Sequence, residues 1–510
     1  MTAVTQTNKR IAKNTMMLYI RLFLLMGVSF YMSRVVLQIL GIEDLGIYNV
    51  VGGIVTMMSF MNNSLNITTQ RFMNYEMGKG RLENLSKVFS MSFWSYTIIA
   101  VIVLLVCETI GLWFFYNYLN IPENRIDAAF WVYQFSVVSF IINLLTVPYT
   151  STIIAHERMG IYAYISIGDA ILKLLLVFAL NYINYDKLWL YGFMMLLVTL
   201  FIWLCNWVYC RIQFEECRLR LMWDSAMFKK LLSFSGWNAF GAVASSIDNQ
   251  GVNILINMFF NPTLNGARAI AYQVRIAVNS FAANFLTAVR PQLFKSYAEG
   301  NLDYMYKLIY SSSKFSIYLL LIFILPLLFN TEYVLNLWLG EVTPAMVTFT
   351  QLVLIGIPIN TCFPVLANVS QATGKIKWYQ IGASVIFLMI PISTYILYKL
   401  GFSVEWAFIM TIVWDIIGLV VRLLMLKKDM QFPVMIYIRK VIYPVILVVV
   451  LTICILVYPL SVMNYMGLIY LLLSTILFIS TLIAFIWFFG LERYEKGLIN
   501  SYLIKIFKRS

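Results

Sequence analysis

The sequence predicts an all-α polytopic membrane protein with about fourteen transmembrane helices, each needing roughly 20 apolar residues. Composition is the first reason: of 510 residues, 61% are hydrophobic and 12% charged, whereas soluble domains are about half apolar and about a quarter charged. Pattern is the second. The apolar residues gather near 15–40, 45–70, 88–118, 128–154, 160–183, 188–210, 231–259, 266–290, 308–335, 345–370, 378–399, 404–426, 440–460 and 466–489. Charge placement is the third, because lysine and arginine accumulate in loops that stay cytoplasmic. With the N-terminus inside, Lys9, Arg10 and Lys13, then Arg71, Lys79, Arg81 and Lys87, then Arg211, Arg218, Arg220, Lys229 and Lys230, and finally Lys505, Lys508 and Arg509 fall on one side; the opposite loops hold Arg125, Lys187 and Lys399.

Both termini are therefore expected in the cytoplasm. The net charge of +14 is this topological bias and calls for no nucleic-acid partner, although basic loops also suit an anionic inner leaflet. The first apolar run is long, follows a basic N-terminus and reads as a signal anchor. Cys107, Cys205, Cys210, Cys217, Cys362 and Cys454 form no CxxC pair and lie mostly within spans, which makes them structural thiols by default. His156 is the single histidine, expected to face solvent in an inner loop; one histidine supplies neither a metal site nor a triad. No cofactor is called for. The outer loops are short and the longest inner loop, 211–230, is too short to fold alone, so any chemistry belongs within the helices.

Taken in order, the spans differ in polarity. Span one carries Arg21, Tyr31, Arg34 and Gln38; span two carries Ser59, Asn63, Asn66 and Gln70, a spacing that puts them on one helical face. In span five Asp169 and Lys173 stand four apart and neutralise each other. Span seven presents Asn238, Ser245, Asn249 and Asn253 with Asp248 at the edge of that face, and span eight presents Arg268, Arg275, Asn279 and, at its inner end, Arg290. Spans thirteen and fourteen are almost devoid of polar groups.

A cation at mid-depth costs about 2.5–3.5 kcal/mol and is expected to face a wet cavity or a partner. Arg21, Arg34 and Arg268 lie close enough to span ends to snorkel. Arg275 sits roughly ten residues, about 15 Å, inside its span and is the leading cavity residue. Asparagine stripes also serve plain helix packing, at around 0.6 kcal/mol per hydrogen bond, so both readings stay open for Asn63, Asn66, Asn249 and Asn279. Glu108, Asp248 and Asp415 lack a sequence-local partner. Asp248 is the candidate for carrying H⁺ or Na⁺, with pairing to Arg275 as the other reading.

A shift of 220 positions aligns Gly46 with Gly266, Gly80 with Gly300, Leu82 with Leu302, Glu83 with Asp303 and Lys87 with Lys307. A second echo sets Pro148 beside Pro364. The matches occupy equivalent places in the span order, which predicts six spans duplicated in parallel, with two more appended. Transporters commonly hold substrate between such repeats.

The segment LGIEDLGIYNVVGGIV at 40–55, the polar second span and RFMNYEMGKG at 71–80 together resemble the Wzx-type polysaccharide repeat-unit flippases, a branch of the MOP transporter superfamily. The resemblance extends more weakly across the first twelve spans. It implies a MATE-like, V-shaped bundle: residues 1–220 as an N-lobe of helices 1–6, residues 221–430 as a C-lobe of helices 7–12, and residues 431–510 as helices 13–14 with a basic cytoplasmic tail. It further implies a bacterial inner-membrane flippase. Its cargo would be undecaprenyl-diphosphate-linked oligosaccharide repeat units, the precursors of O-antigen, capsule or exopolysaccharide, moved from inner to outer leaflet by alternating access. Spans one, two, seven and eight would line the cavity. Arg275 and Arg34, then Arg21 and Arg268, would receive the diphosphate, with Asn279, Asn63, Asn66 and Asn249 around them. Partners would be the lipid-linked glycan, membrane lipids, H⁺ or Na⁺ at Asp248, and polysaccharide polymerase and ligase machinery.

Two features depart from that pattern. Fourteen spans are characteristic of the lipid II flippases of the superfamily, and the multidrug exporters typically carry an acidic residue in span one, which this chain lacks. A lipid II flippase and a multidrug or cation antiporter are the alternative readings. A membrane-embedded glycosyltransferase, polymerase or ligase is disfavoured by the short outer loops.

Overall fold

The computed structural model describes residues 3–497 other than 57, 59, 82, 119–120, 221–222, 261, 341 and 463–466. Among them are seventeen α-helices and no strand. The first is α1 (Ala3–Thr56), broken at Gly41, whose φ of 77° and ψ of 173° leave the helical region. Glycine takes this positive φ without a Cβ clash, and the break separates the first two spans. The second continues towards α2 (Phe60–Gly78). The third combines α3 (Glu83–Val106), a π-turn at Cys107–Gly111 and α4 (Leu112–Tyr118). There the Tyr133 hydroxyl donates to the Cys107 carbonyl at 2.8 Å and presses against Gly111, where a Cβ would collide with it.

The next spans are α5 (Ile126–Ala155), α6 (Met159–Ala179), α7 (Lys187–Gln213), α8 (Ser225–Phe259) and α9 (Pro262–Ala298). They are followed by α10 (Leu302–Phe329) with the short α11 (Thr331–Leu339), α12 (Pro344–Thr373), α13 (Lys377–Lys399) and α14 (Trp406–Met430). The last pair is α15 (Val434–Tyr437) running through a π-turn into α16 (Tyr443–Val462), and α17 (Leu468–Phe485) ending in another π-turn at Ile486–Gly490. Among the described residues, 11 stretches are long and apolar enough to cross a membrane. The expected spans outside that set are the second, α8 and α9, the three that carry the amide and arginine stripes.

The helices sort into two compact units. The N-unit comprises residues 10–242 and 294–300. Its hub is α5, packed by α2, α3, α6 and α7 through buried Val132, Tyr133, Val137 and Leu144. Ion pairs fix its ends. At one end Arg125 bridges Asp44, just beyond the Gly41 break, and Asp186, which also caps α7 by accepting from the Trp189 amide at 3.0 Å. At the other, the buried Glu157 carboxylate binds Lys295 at 2.8 Å and Arg10 at 3.3 Å. Lys87 meets Asp224 at 2.5 Å, and its hydrogen bond holds the Asp224 carboxyl down at about 2 from 3.8.

His156 departs from expectation. It is half-buried, stacked on Phe214 at 4.2 Å and 2.5 Å from Glu216, because the loop after α7 folds back over it. Burial pushes the Glu216 carboxyl up, but the contact with His156 outweighs that and holds it below its usual value. Asp169 and Lys173 pair at 2.8 Å as the spacing predicts.

The C-unit comprises residues 1–9, 243–293 and 301–510. Here α12, which holds Pro358 and Pro364 in its interior, packs against α10 and α14, while α13 lies on α14 and α17 on α10 and α16. The aligned glycines have the same structural role: Gly80 (φ 68°) and Gly300 (φ 78°) stand in the turns after α2 and α9. The acidic residues Glu83 and Asp303 then sit in the first turns of α3 and α10, where they favour the helix dipole.

Candidate functional site

Most of the mid-span charge of the C-unit lies on α9 and α14, which an amide from α12 joins. On α9, Arg268, Tyr272 and Arg275 follow at steps of four and three and share a face. Both guanidiniums lie over the Tyr272 ring, Arg268 at 4.1 Å and Arg275 at 5.3 Å. On α14, Asp415 and Arg422 lie two turns apart and are 2% and 3% exposed. From α12, the Asn360 amide donates to Asp415. A small cavity opens among Tyr272, Arg275, Leu352, Asn360, Ile412 and Asp415.

The two cations of α9 are held differently. Arg268 is buried, and it donates to the Asn249 carbonyl at 3.1 Å and to Asn253 Oδ1 at 3.3 Å. Its hydrogen bonds therefore tie α9 to α8. Arg275 is half-buried, lines the cavity and interacts electrostatically with both Asp248 and Asp415. Asp248 also feels Arg268, so the two readings of Asp248, ion carrier and arginine partner, meet at one place. Arg422 is covered by Phe363 at 3.9 Å and Phe387 at 5.5 Å and also interacts electrostatically with Asp415. The result is a local alternation of charge beside a small void whose wall also carries Leu352, Val353, Phe408 and Ile412. Such a site offers a donor fork to an anion and two carboxylates to a cation, and the balance between them depends on which group is free to leave its partner.

The other sequence candidates lie elsewhere. Asn279 is half-buried further along α9. In the N-unit, Asn63 is exposed. Asn66 donates to Thr150 Oγ1 at 3.5 Å and accepts from Gln70, contacts within the helix packing. Arg21 is half-buried with its guanidinium 4.6 Å over the Tyr162 ring. The Arg34 side chain and Ser59 lie outside the described residues.

Sequence reading did not assign Tyr272, Asn360 or Arg422 to the site. Arg422 was detectable as a basic residue seven positions after Asp415, on the same face of one span. Asn360 carries no sequence signal, since its approach to Asp415 depends on how α12 packs against α14.

No family model matches the chain, and no curated protein matches it by sequence. Solved structures do match its fold. A MATE protein in the straight conformation superposes with a TM-score of 0.70 at 13% identity, covering 83% of this chain and 97% of that one. A MOP superfamily transporter from Pyrococcus furiosus, whose reversed binding-pocket polarity suggests a different function, gives a TM-score of 0.68 at 14% identity over 83% and 97%. An outward-facing multidrug resistance transporter of the MATE family gives 0.68 at 12% identity, again over 83% and 97%. The chain thus has the fold of the MATE transporters of the MOP superfamily.

Proposed function

We propose that the protein is a flippase for undecaprenyl-diphosphate-linked oligosaccharide repeat units, carrying them from the inner to the outer leaflet of a bacterial inner membrane by alternating access. The observation that carries this reading is Arg275, a half-buried arginine deep in its helix that lines a cavity together with Asn360, Thr411 and Asp415. Its planar fork suits a diphosphate, which it would bind by charge-assisted, bidentate hydrogen bonds. The existence of a fold relative with reversed pocket polarity supports a departure from cation export on this scaffold, as does the absence of acidic residues from 15–40. Arg268 then acts as a positioning residue, holding α9 against α8 and stacking on Tyr272, which in turn orients Arg275.

Energetics favour outward transport of an anion. An inside-negative potential contributes about 2.3 kcal/mol per elementary charge per 100 mV, so no coupling ion is obligatory. A second reading is favoured by Asp248 and Asp415 beside the same cavity: a carboxylate pair there would carry H⁺ or Na⁺, either to reset the flippase or to drive a cation antiporter.

Reconstituted protein and fluorescent undecaprenyl-diphosphate oligosaccharides test the proposal. Wild type flips the lipid under an imposed potential, and Arg275→Ala lowers the rate at least tenfold. If wild type moves no lipid-linked glycan yet exchanges cationic dyes for protons, and Asp248→Asn stops that exchange, the antiporter reading replaces it.

A further inference from the structure

The two appended spans enclose a second recess whose chemistry is distinct from the cavity at Arg275. It has a volume of ≈ 970 Å³ and is lined by Lys314 of α10, by Met435, Ile436, Arg439 and Lys440 around α15, and by Phe489 to Glu492 after α17. Two π-turns frame it, Ile438–Ile442 and Ile486–Gly490. A π-turn shifts the side-chain register of a helix and is often found at functional sites.

Charge inside the recess is unevenly compensated. Lys314 is 1% exposed and donates to Glu495 Oε2 at 2.7 Å and to the Gly490 carbonyl at 3.3 Å. Glu495 also accepts from Ser311 Oγ at 2.8 Å and from the Glu492 amide at 2.9 Å, so this buried pair is saturated and forms the floor. Lys440 and Glu492 pair at 3.2 Å at the rim. Arg439 is exposed and makes no ion pair among the described residues. Its neighbours Met435, Ile436 and Phe489 are 75%, 45% and 51% exposed. Nearby α14 ends in Lys427 and Lys428, which marks this end of the C-unit as cytoplasmic by the distribution of basic residues.

We propose that this recess binds the phosphate-bearing headgroup of an anionic lipid of the inner leaflet. Arg439 is the residue that grips the phosphate, Lys440 leaves Glu492 to assist, and Met435, Ile436 and Phe489 lie along the acyl chains. The juxtaposition requires a ligand with both a phosphate and an apolar tail. An exposed guanidinium alone would bind any small anion, but the apolar side chains beside it gain nothing from free phosphate. The site does not depend on the flippase reading, because it uses no residue of the Arg275 cavity.

Native mass spectrometry of the delipidated full-length protein, offered equal phosphatidylglycerol and phosphatidylcholine, tests it. Wild type is expected to retain phosphatidylglycerol in preference, and Arg439→Gln to weaken that retention about fivefold, the effect of losing one basic contact to an anionic lipid surface. Arg220→Gln, at an exposed site of the N-unit, should leave it unchanged. Equal retention by wild type and Arg439→Gln, or no preference over phosphatidylcholine, overturns the site. Displacement of the lipid by millimolar inorganic phosphate overturns the lipid as its occupant.

Discussion

The two units solve the same problem, polar groups inside apolar helices, in different ways. In the N-unit most polar groups at the heart of the packing are neutral. Ser64 donates to the Ser235 carbonyl at 2.8 Å, Ser235 donates to Thr68 at 2.9 Å, and Thr69 lies 2.5 Å from the Tyr96 hydroxyl. Its strong ion pairs stand at the ends, at Arg125 and at Glu157. Arg71, which is buried, is surrounded by the rings of Phe72, Tyr75 and Phe234. The C-unit instead buries Asp415 and Arg422 outright and places Arg275 at a cavity. Neutral hydrogen bonds between helices are inexpensive ties. Buried charges are costly and are retained in membrane spans chiefly where a function uses them. On the proposed function, the contrast puts ligand chemistry in the C-unit and framework in the N-unit.

The largest effect that would break this contrast is at Arg422. Replacing it with alanine removes the cation stacked on Phe363 and Phe387 and leaves Asp415 with less compensation, a loss of about 3–5 kcal/mol by analogy with broken buried pairs. Thermal unfolding in detergent should show it clearly, and Asp415→Asn added to Arg422→Ala should recover part of the loss. Next is Glu157→Gln, which keeps the shape but unpairs Lys295 and Arg10; about 2 kcal/mol is expected, seen as a lower midpoint in the same assay. If Glu157→Gln proves more damaging than Arg422→Ala, the assignment of costly charge to the C-unit is wrong.

Asn66→Ala should cost only about 0.6 kcal/mol and leave transport within twofold of wild type, measured in proteoliposomes. A severe transport defect with normal stability would move Asn66 from packing to substrate contact and weaken the contrast. The smallest effect is at the N-unit surface. The depressed Asp224 carboxyl, at about 2 from 3.8, contributes stability that is complete above its unfolded value and is lost as pH falls through the folded one. Lys87→Gln should therefore lower the melting midpoint slightly near pH 6, and the difference from wild type should shrink as the pH is taken below 3.8.

Much of the architecture was legible because it follows from local patterning. Apolar runs specified 11 of the spans, and the Gly80 and Gly300 turns could be paired from sequence since glycine takes a positive φ at the least cost. The position of Arg275 at a cavity fits its depth, because a cation that far into a span has few resting places. His156 was misread because solvent exposure depends on a later segment, Phe214 to Glu216, returning to cover it. Asn360 was invisible for a similar reason, being one amide among many until α12 packs on α14 and brings it to Asp415. The distinction between Arg268 and Arg275 likewise emerged only when the α8 groups that satisfy the former were seen.

On the proposed function, Arg275 makes the C-unit cavity a site for anions. Binding of undecaprenyl diphosphate to purified wild type and Arg275→Gln, each challenged with a cationic drug-like competitor, tests it most directly. The expected result is that wild type binds the diphosphate, the variant binds it at least tenfold more weakly, and the cation competes with neither. Unchanged affinity in Arg275→Gln, together with displacement by the cation that disappears in Asp248→Asn, would contradict the account and assign the cavity to cation transport.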